Sequence, residues 1–280
     1  MKKIRSFFRS PMGTTFMFMM AVLLLMTGTI GGVRATPQIF NPDFAYSGVE
    51  LDQIGITLVE NGSPVSSRDY NRESEEFDYT SNSNDPKMGT LLANMLGNEK
   101  LKIGKKYPEV LSVTNSGTIT EYVRVTVYKY WVPLGESEDK NAAERKDEPR
   151  YDVYDANGED VLNKLIELNF LEGNGWVIDH SSDTKERTVL YYQTKLASGA
   201  STAPFTDTLR INDKIVDYGV KVPTDESGLS WTWTWAVDGL EFRIEAEADG
   251  VQDHNARAAM KSAWGLTDTQ IDALGIKVDA

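Results

Sequence analysis

Residues 122–132 read YVRVTVYKYWV, eleven positions along which the side chains alternate between two faces. Val123, Val125, Val127 and Trp131 fall on one face, which only Lys129 interrupts. Alternation of this length is typical of a half-buried β-strand. The preceding VLSVTNSGTIT contains a second apolar run and an Asn-Ser-Gly turn, so we predict that residues 110–132 form a hairpin.

Further short apolar runs, separated by turn residues, indicate strands along most of the chain. They lie at 54–59, 176–179, 188–196, 207–211, 230–237 and 240–248. Many short strands with turns between them predict a mainly β fold, here a jelly-roll β-sandwich. We expect this domain to span residues 49–280.

Two or three short helices are predicted on or beside the sandwich. Residues 161–170 carry an apolar face, and residues 256–264 carry another that ends at Gly265. Thr267 and Gln270 have the spacing of a capping box, which predicts that a last short helix begins there.

Residues 66–100 are polar and poor in β-branched side chains. We predict a long surface excursion or disordered loop, with a possible short helix at 90–96. The role of this acidic stretch does not follow from the sequence.

The first 35 residues have the three parts of a signal peptide. A basic start is followed by an apolar run of about eleven residues at 16–26, shorter than a membrane-spanning helix requires. Val33 and Ala35 then occupy the −3 and −1 positions of a cleavage site, so Thr36 would begin the mature chain. The alternative is a signal anchor that is never cut.

Charge and cysteine content exclude several classes of function. The chain has 29 basic and 42 acidic residues, and removal of the five basic residues of the leader leaves a net charge of −18. This charge opposes binding to nucleic acid and to anionic membranes. The absence of cysteine excludes disulfides, thiolate catalysis and cysteine-based zinc sites.

No catalytic, metal or cofactor site is predicted. His180 and His254 stand in no HExxH motif, and capping or surface roles explain them better than zinc binding. The DANGED stretch at 155–160 fails the register of a calcium loop. Glu245 and Glu247 alternate on a strand, which suits a solvated face better than a glycosidase pair.

Trp231, Trp233 and Trp235 share one face of a predicted strand. Such a row either stacks on sugar rings or covers a core, and we predict core burial. Tyr122, Tyr128 and Tyr130 admit the same two interpretations.

Three stretches resemble the TasA/camelysin family of exported Gram-positive proteins, and the larger clostridial BsaA-type members look most similar. They are LKIGKKYPEVLSVTNSGTITEYVRVTVYKYW at 101–131, YYQTKLASGASTAPFTDTLRI at 191–211 and EAEADGVQDHNARAAMKSAWG at 245–265. The cleavage region and the acidic stretch at 66–90 depart from the family pattern.

The resemblance implies a secreted jelly-roll subunit of biofilm-matrix or cell-surface fibres, cut by a SipW-type signal peptidase. Its partners would be further copies of itself, joined head to tail by donor-strand exchange, and a minor fibre-anchoring protein. Alternatives are a camelysin-type extracellular metallopeptidase, for which no metal motif is present, and a surface carbohydrate- or host-binding module.

The segment 36–48, TPQIFNPDFAYSG, is the candidate donor strand. Pro37 and Pro42 disfavour helix, and the segment carries four large apolar side chains: Ile39, Phe40, Phe44 and Tyr46. It either pairs as the first strand of its own domain or docks into a neighbour by β-augmentation. The resemblance favours the donor strand.

Overall fold

The structure is a computed structural model. It describes residues 53–71, 73–93, 95–96, 100–135, 163–224, 229–235 and 237–278, without the side chains of 220–223. In this part of the chain no helix is long and apolar enough to cross a membrane.

Strands are the main regular secondary structure of the described residues, which confirms the prediction of a mainly β fold. The strands are β1 (Gly55–Glu60), β2 (Ser63–Asn71), β3 (Glu76–Ser81), β4 (Lys106–Pro108), β5 (Leu111–Asn115), β6 (Glu121–Pro133), β7 (Ile166–Phe170), β8 (Trp176–Ile178), β9 (Arg187–Tyr192), β10 (Thr206–Ile211), β11 (Gly219–Pro223), β12 (Trp231–Trp235) and β13 (Leu240–Gln252). Two α-helices follow, α1 (Ala256–Trp264) and α2 (Asp268–Ala273).

The strands pair antiparallel in four groups. The first sheet has the order β3-β2-β1-β5, and the second has the order β13-β6-β9-β8. A three-stranded sheet, β4-β10-β7, and a two-stranded ribbon, β11-β12, complete the set. Ile56 of β1, Val113 of β5, Val125 of β6 and Leu209 of β10 share one buried cluster, as expected for a β-sandwich. The jelly-roll topology stays a prediction.

The predicted hairpin over 110–132 is wrong, although both of its strands exist. β5 pairs with β1, and β6 pairs with β13 and β9. The turn between them carries the chain from one sheet to the other. Asn115 fixes this turn, because its Nδ2 donates to the carbonyl oxygens of Ile119 (2.6 Å) and Leu196 (2.9 Å), and its Oδ1 accepts from the Gly117 N–H (2.9 Å).

The sequence predicted that one face of β6 would be buried, but both faces are buried. β6 lies between β13 and β9, and other residues of the domain cover the second face. Tyr122 and Tyr130 are 1% and 0% exposed. Tyr122 packs with α1 and α2 in a second cluster that includes Met260 and Ile271. The tyrosines of β6 are therefore core residues.

Two predictions made from polar or helical patterns are also wrong. Residues 66–71 and 76–81 are not a loop but belong to the paired strands β2 and β3, and no helix forms at the described residues of 90–96. Residues 166–170, predicted as helix, form β7, which pairs with β10 and follows a single 3₁₀ turn at Asn163–Leu165. Alternate residues Ile166 and Leu168 are buried, so burial follows the strand period.

Both C-terminal helices are confirmed. Gly265 ends α1 in the left-handed conformation, with φ of 72°, which glycine adopts without steric cost. The Thr267–Gln270 capping box begins α2 as predicted. Met260, a residue of α1, is fully buried. Trp264, at the end of the same helix, is half-buried against the Tyr191 ring, with 5.6 Å between ring centroids.

Met260→Ala should destabilise the domain more than Trp264→Ala. Loss of a fully buried methionine removes transfer energy and leaves a cavity, which costs about 2–5 kcal/mol. Trp264 keeps part of its ring in solvent, so we expect its truncation to cost less. Urea unfolding would compare the two variants with the exposed-site control Ser262→Ala. A larger loss for Trp264→Ala would contradict this assignment of the core.

Candidate functional site

Several predicted functional positions lie outside the described residues. These are Ala35 and Thr36 of the cleavage site, the donor-strand candidates Ile39, Phe40, Phe44 and Tyr46, and the 155–160 stretch. The candidate site therefore consists of described residues only.

A groove of about 290 Å³ lies between the first sheet and β13. We call it the β13 groove. Its walls come from β1, β2 and β3 on one side and from residues 246–249 of β13 on the other. β1 packs on β13, and a Cβ on Gly250 would lie only 2.8 Å from the Ile56 side chain. β2 and β3 continue the first sheet beyond β1, whereas β13 is the last strand of the second sheet among the described residues.

The outer edge of β13 has no partner strand among the described residues. The Lys129 N–H donates to the Glu186 carbonyl on the far side of β6, so the flanking residues Tyr128 and Tyr130 direct their backbone groups toward β13. Their partners in β13 are Glu245 and Arg243. Because backbone groups alternate along a strand, those of Ile244, Ala246 and Ala248 point to the open edge. An unpaired edge of this kind is a template for a further strand.

The floor of the β13 groove is mixed, with Ile56, Leu58 and Tyr79 beside the polar Ser66, Ser67 and Arg68. The cross-strand pairing places Ile56, Arg68 and Tyr79 in one row across β1, β2 and β3. Tyr79 and Phe77 are half-buried, and the Arg68 guanidinium lies 4.1 Å from the centre of the Phe77 ring. On the opposite wall Ala246 and Ala248 have small side chains, which leave space for larger ones.

Charges of both signs border the groove. Arg68 and Lys87 line the side of the first sheet, and Glu247 and Asp249 line the side of β13. Asp249 is paired with Arg124 at 2.5 Å. Partial desolvation, together with the neighbouring Asp249 and Glu245, raises the pKa of Glu247 above its ordinary value. The groove is therefore bordered by two cationic and two anionic side chains.

Two buried glutamates adjoin at the far end of β1. Glu109 is 0% exposed and Glu60 is 2% exposed. Glu60 Oε1 accepts from the Leu92 N–H at 2.6 Å, and the Glu109 carboxyl lies close enough to Glu60 to share a hydrogen bond with it. Burial, and next the proximity of Glu60, raises the pKa of Glu109 to about 9. Glu109 is therefore protonated at neutral pH.

A third buried glutamate holds the beginning of β1. Glu121 Oε1 accepts from the Gly55 N–H at 2.9 Å, and a Cβ on Gly117 or on Gly250 would lie within 2.7 Å of its carboxyl oxygens. Burial raises the pKa of Glu121 to about 7, against the opposing effect of the Gly55 N–H. This close packing requires glycine at positions 117 and 250.

The histidines lie in separate local environments. His180 follows β8, and its Nδ1 is 2.9 Å from Asp183 Oδ2 on an exposed turn. His254 is exposed just before α1. Among the residues that the structure describes, no group of three or more His, Asp or Glu side chains could hold a metal ion.

The predicted burial of the tryptophan row, Trp231, Trp233 and Trp235, is wrong. Their exposed fractions are 48%, 63% and 46%. The row lies on β12, which pairs only with β11 within the described residues, so no second sheet covers it. Spacing alone could not distinguish these tryptophans from a buried row.

Sequence reasoning also missed the β13 groove and the buried glutamates. The alternation of β13 was visible, but the sequence does not show which edge lacks a partner. These glutamates stand at or near strand ends: Glu60 is the last residue of β1, Glu121 is the first residue of β6, and Glu109 precedes β5. Nothing in the sequence at those positions distinguishes them from surface residues.

In comparisons with known proteins, the chain matches no protein-family model, no curated protein sequence and no solved structure.

Proposed function

We propose that the protein is a secreted structural subunit that polymerises head to tail by donor-strand exchange into extracellular fibres of a biofilm matrix or cell surface. The observation that carries the proposal is the edge of β13, which has no partner strand among the described residues and lies beside a groove of mixed polarity. The sequence resemblance to the TasA/camelysin family leads to the same function.

The β13 groove suits an incoming strand. A strand beside β13 would use the outward backbone groups of Ile244, Ala246 and Ala248 and would extend the second sheet beneath β2 and β3. Its alternate side chains would cover the half-exposed Tyr79 and Phe77. Main-chain hydrogen bonds supply affinity in this mode of recognition, and side-chain pockets supply specificity.

The proposed donor is residues 36–48 of a neighbouring copy. β13 has thirteen residues, as does the donor segment, so the two can pair along a comparable length. Phe40, Phe44 and Tyr46 fall on one face of an extended segment, and their rings suit packing on Tyr79, which lines the groove. Because donor and groove are different surfaces of one chain, the contact is heterologous and builds a filament.

Export precedes assembly in this proposal. Cleavage between Ala35 and Thr36 by a SipW-type signal peptidase would release the donor segment as a free N-terminus. The apolar leader would otherwise precede the donor and hold it at the membrane. Processing would thus confine polymerisation to the outside of the cell.

Ala246→Pro in the mature chain 36–280 should abolish fibres and leave the domain folded. Proline removes one outward N–H that an added strand requires, and an edge position tolerates it because the bonds to β6 come from the neighbouring residues. Negative-stain microscopy and sedimentation would measure assembly, and circular dichroism would verify folding.

Ala246→Ser is the matched control, since it changes the same side chain but keeps the N–H. We expect it to form fibres. Fibres of normal length from Ala246→Pro, or a complete failure of the unaltered mature chain to polymerise, would reject the proposed function.

A further inference from the structure

The tryptophan row has the geometry of a stacking platform. Alternate residues of a strand lie about 6.8 Å apart, so the three indoles extend along roughly 13 Å of β12. A Cβ on Gly219 of β11 would lie 3.0 Å from Trp235 Cζ3 and 3.2 Å from Trp233 Cε3. Both rings therefore lie against the glycine backbone and retain a large exposed area.

The sequence of this strand indicates the chemistry of a ligand. Residues 229–235, LSWTWTW, have no ionisable side chain, and the non-aromatic positions between the tryptophans are threonines. On the paired stretch of β11 the one ionisable residue is Lys221, which lies opposite Trp233. The whole chain has a net charge of −13, which disfavours acidic polymers and anionic membranes. A neutral ligand with an extended, repeated apolar face satisfies both constraints.

We propose that the tryptophan row binds a neutral polysaccharide by stacking of its sugar rings on the indoles. One face of a pyranose ring presents several C–H groups, which pack favourably on the electron-rich face of an indole. Successive rings along a glycan chain can occupy successive tryptophans. This surface lies on the β11-β12 ribbon and not in the β13 groove, so the inference does not depend on the proposed function.

The experiment uses the mature chain 36–280 in affinity gels containing hydroxyethyl cellulose, amylose or alginate, and in sedimentation with insoluble cellulose or chitin. Phosphatidylcholine vesicles test lipid binding. We expect retention by at least one neutral polysaccharide and none by alginate or vesicles. Trp233→Ala/Trp235→Ala should weaken that retention about tenfold or more, because central aromatic contacts dominate the energy of such sites.

Two further variants make the result specific. Thr232→Ala/Thr234→Ala changes the alternate positions of the same strand and should bind normally. Gly219→Val keeps every indole but displaces two of them, so it should bind more weakly than the unaltered chain. All variants should keep the same thermal unfolding midpoint.

The outcomes that overturn the proposal are distinct. They are absence of binding to every neutral polysaccharide, preference for alginate or vesicles, or undiminished binding by the double tryptophan variant. If Trp233→Ala/Trp235→Ala lost fibre bundling but kept glycan binding, the tryptophan row would instead mediate contacts between copies of the protein. Failure of fibre formation by Ala246→Pro leaves this test unaffected, since the ribbon is not part of the groove.

Discussion

A mature chain that lacks residues 36–47 should be a folded monomer that forms no fibres. The buried clusters of the described domain are built from residues between Ile56 and Ile276, so the deletion removes none of these core residues. It removes the proposed donor and leaves the β13 groove intact. Size-exclusion chromatography with light scattering would give the mass, and thermal unfolding would verify the fold.

The truncated chain also permits a test in trans. A synthetic peptide of residues 36–48 should bind it and raise its unfolding midpoint, whereas a scrambled peptide should not. The Ala246→Pro change in the truncated chain should eliminate this binding. If the truncated chain unfolds as readily as Met260→Ala, the segment is a strand of its own domain and the donor-strand hypothesis is wrong.

Glu109→Gln should stabilise the domain at alkaline pH. The folded state keeps Glu109 protonated up to a pKa of about 9, whereas an unfolded glutamate loses its proton near pH 4.5. Between these values the folded state binds more protons, so its stability falls as pH rises and is lowest above pH 9. The neutral amide removes this dependence and should gain on the order of 4 kcal/mol at pH 8.

Urea unfolding at pH 5, 7 and 9 would measure the effect. Glu121→Gln should show the same sign in a narrower window, from pH 4.5 to about 7, because its pKa is lower. The exposed Glu76→Gln of β3 is the control and should leave the profile unchanged. Equal stability of the unaltered chain at pH 5 and pH 9 would show that Glu109 is not held protonated.

Local patterns predicted the elements of this fold better than their partners. The strand at β6 and the capping box of α2 depend on neighbours within a few residues, and the structure confirms both, although β6 is buried on both faces and not half-buried as predicted. The pairing of β5 with β1 depends on residues more than fifty positions away, which the Asn-Ser-Gly turn does not report. Turn residues predict that the chain changes direction, but they do not predict in which sheet the next strand lies.

The other wrong predictions arose where the spacing of apolar residues fits more than one structure. Ile166 and Leu168 fit both an apolar helix face and a strand, and only the pairing with β10 decides between them. β2 and β3 are polar because all of their residues except Val65 are at least partly exposed, so their composition resembles that of a loop. The tryptophan row alternates like a buried strand, but its three side chains are 46–63% exposed.

The position of β1 within the first sheet has a mechanical consequence. β1 directly follows the segment that contains the proposed donor, and it is hydrogen-bonded to β2 on one side and to β5 on the other. Tension on the N-terminus would pull β1 lengthwise, so both ladders would resist together in shear. Bonds from the N–H groups of Gln53 to Thr118 (2.6 Å) and of Gly55 to Glu121 (2.9 Å) reinforce the point of attachment. A filament stretched in this geometry should break at the joint between subunits before any subunit unravels.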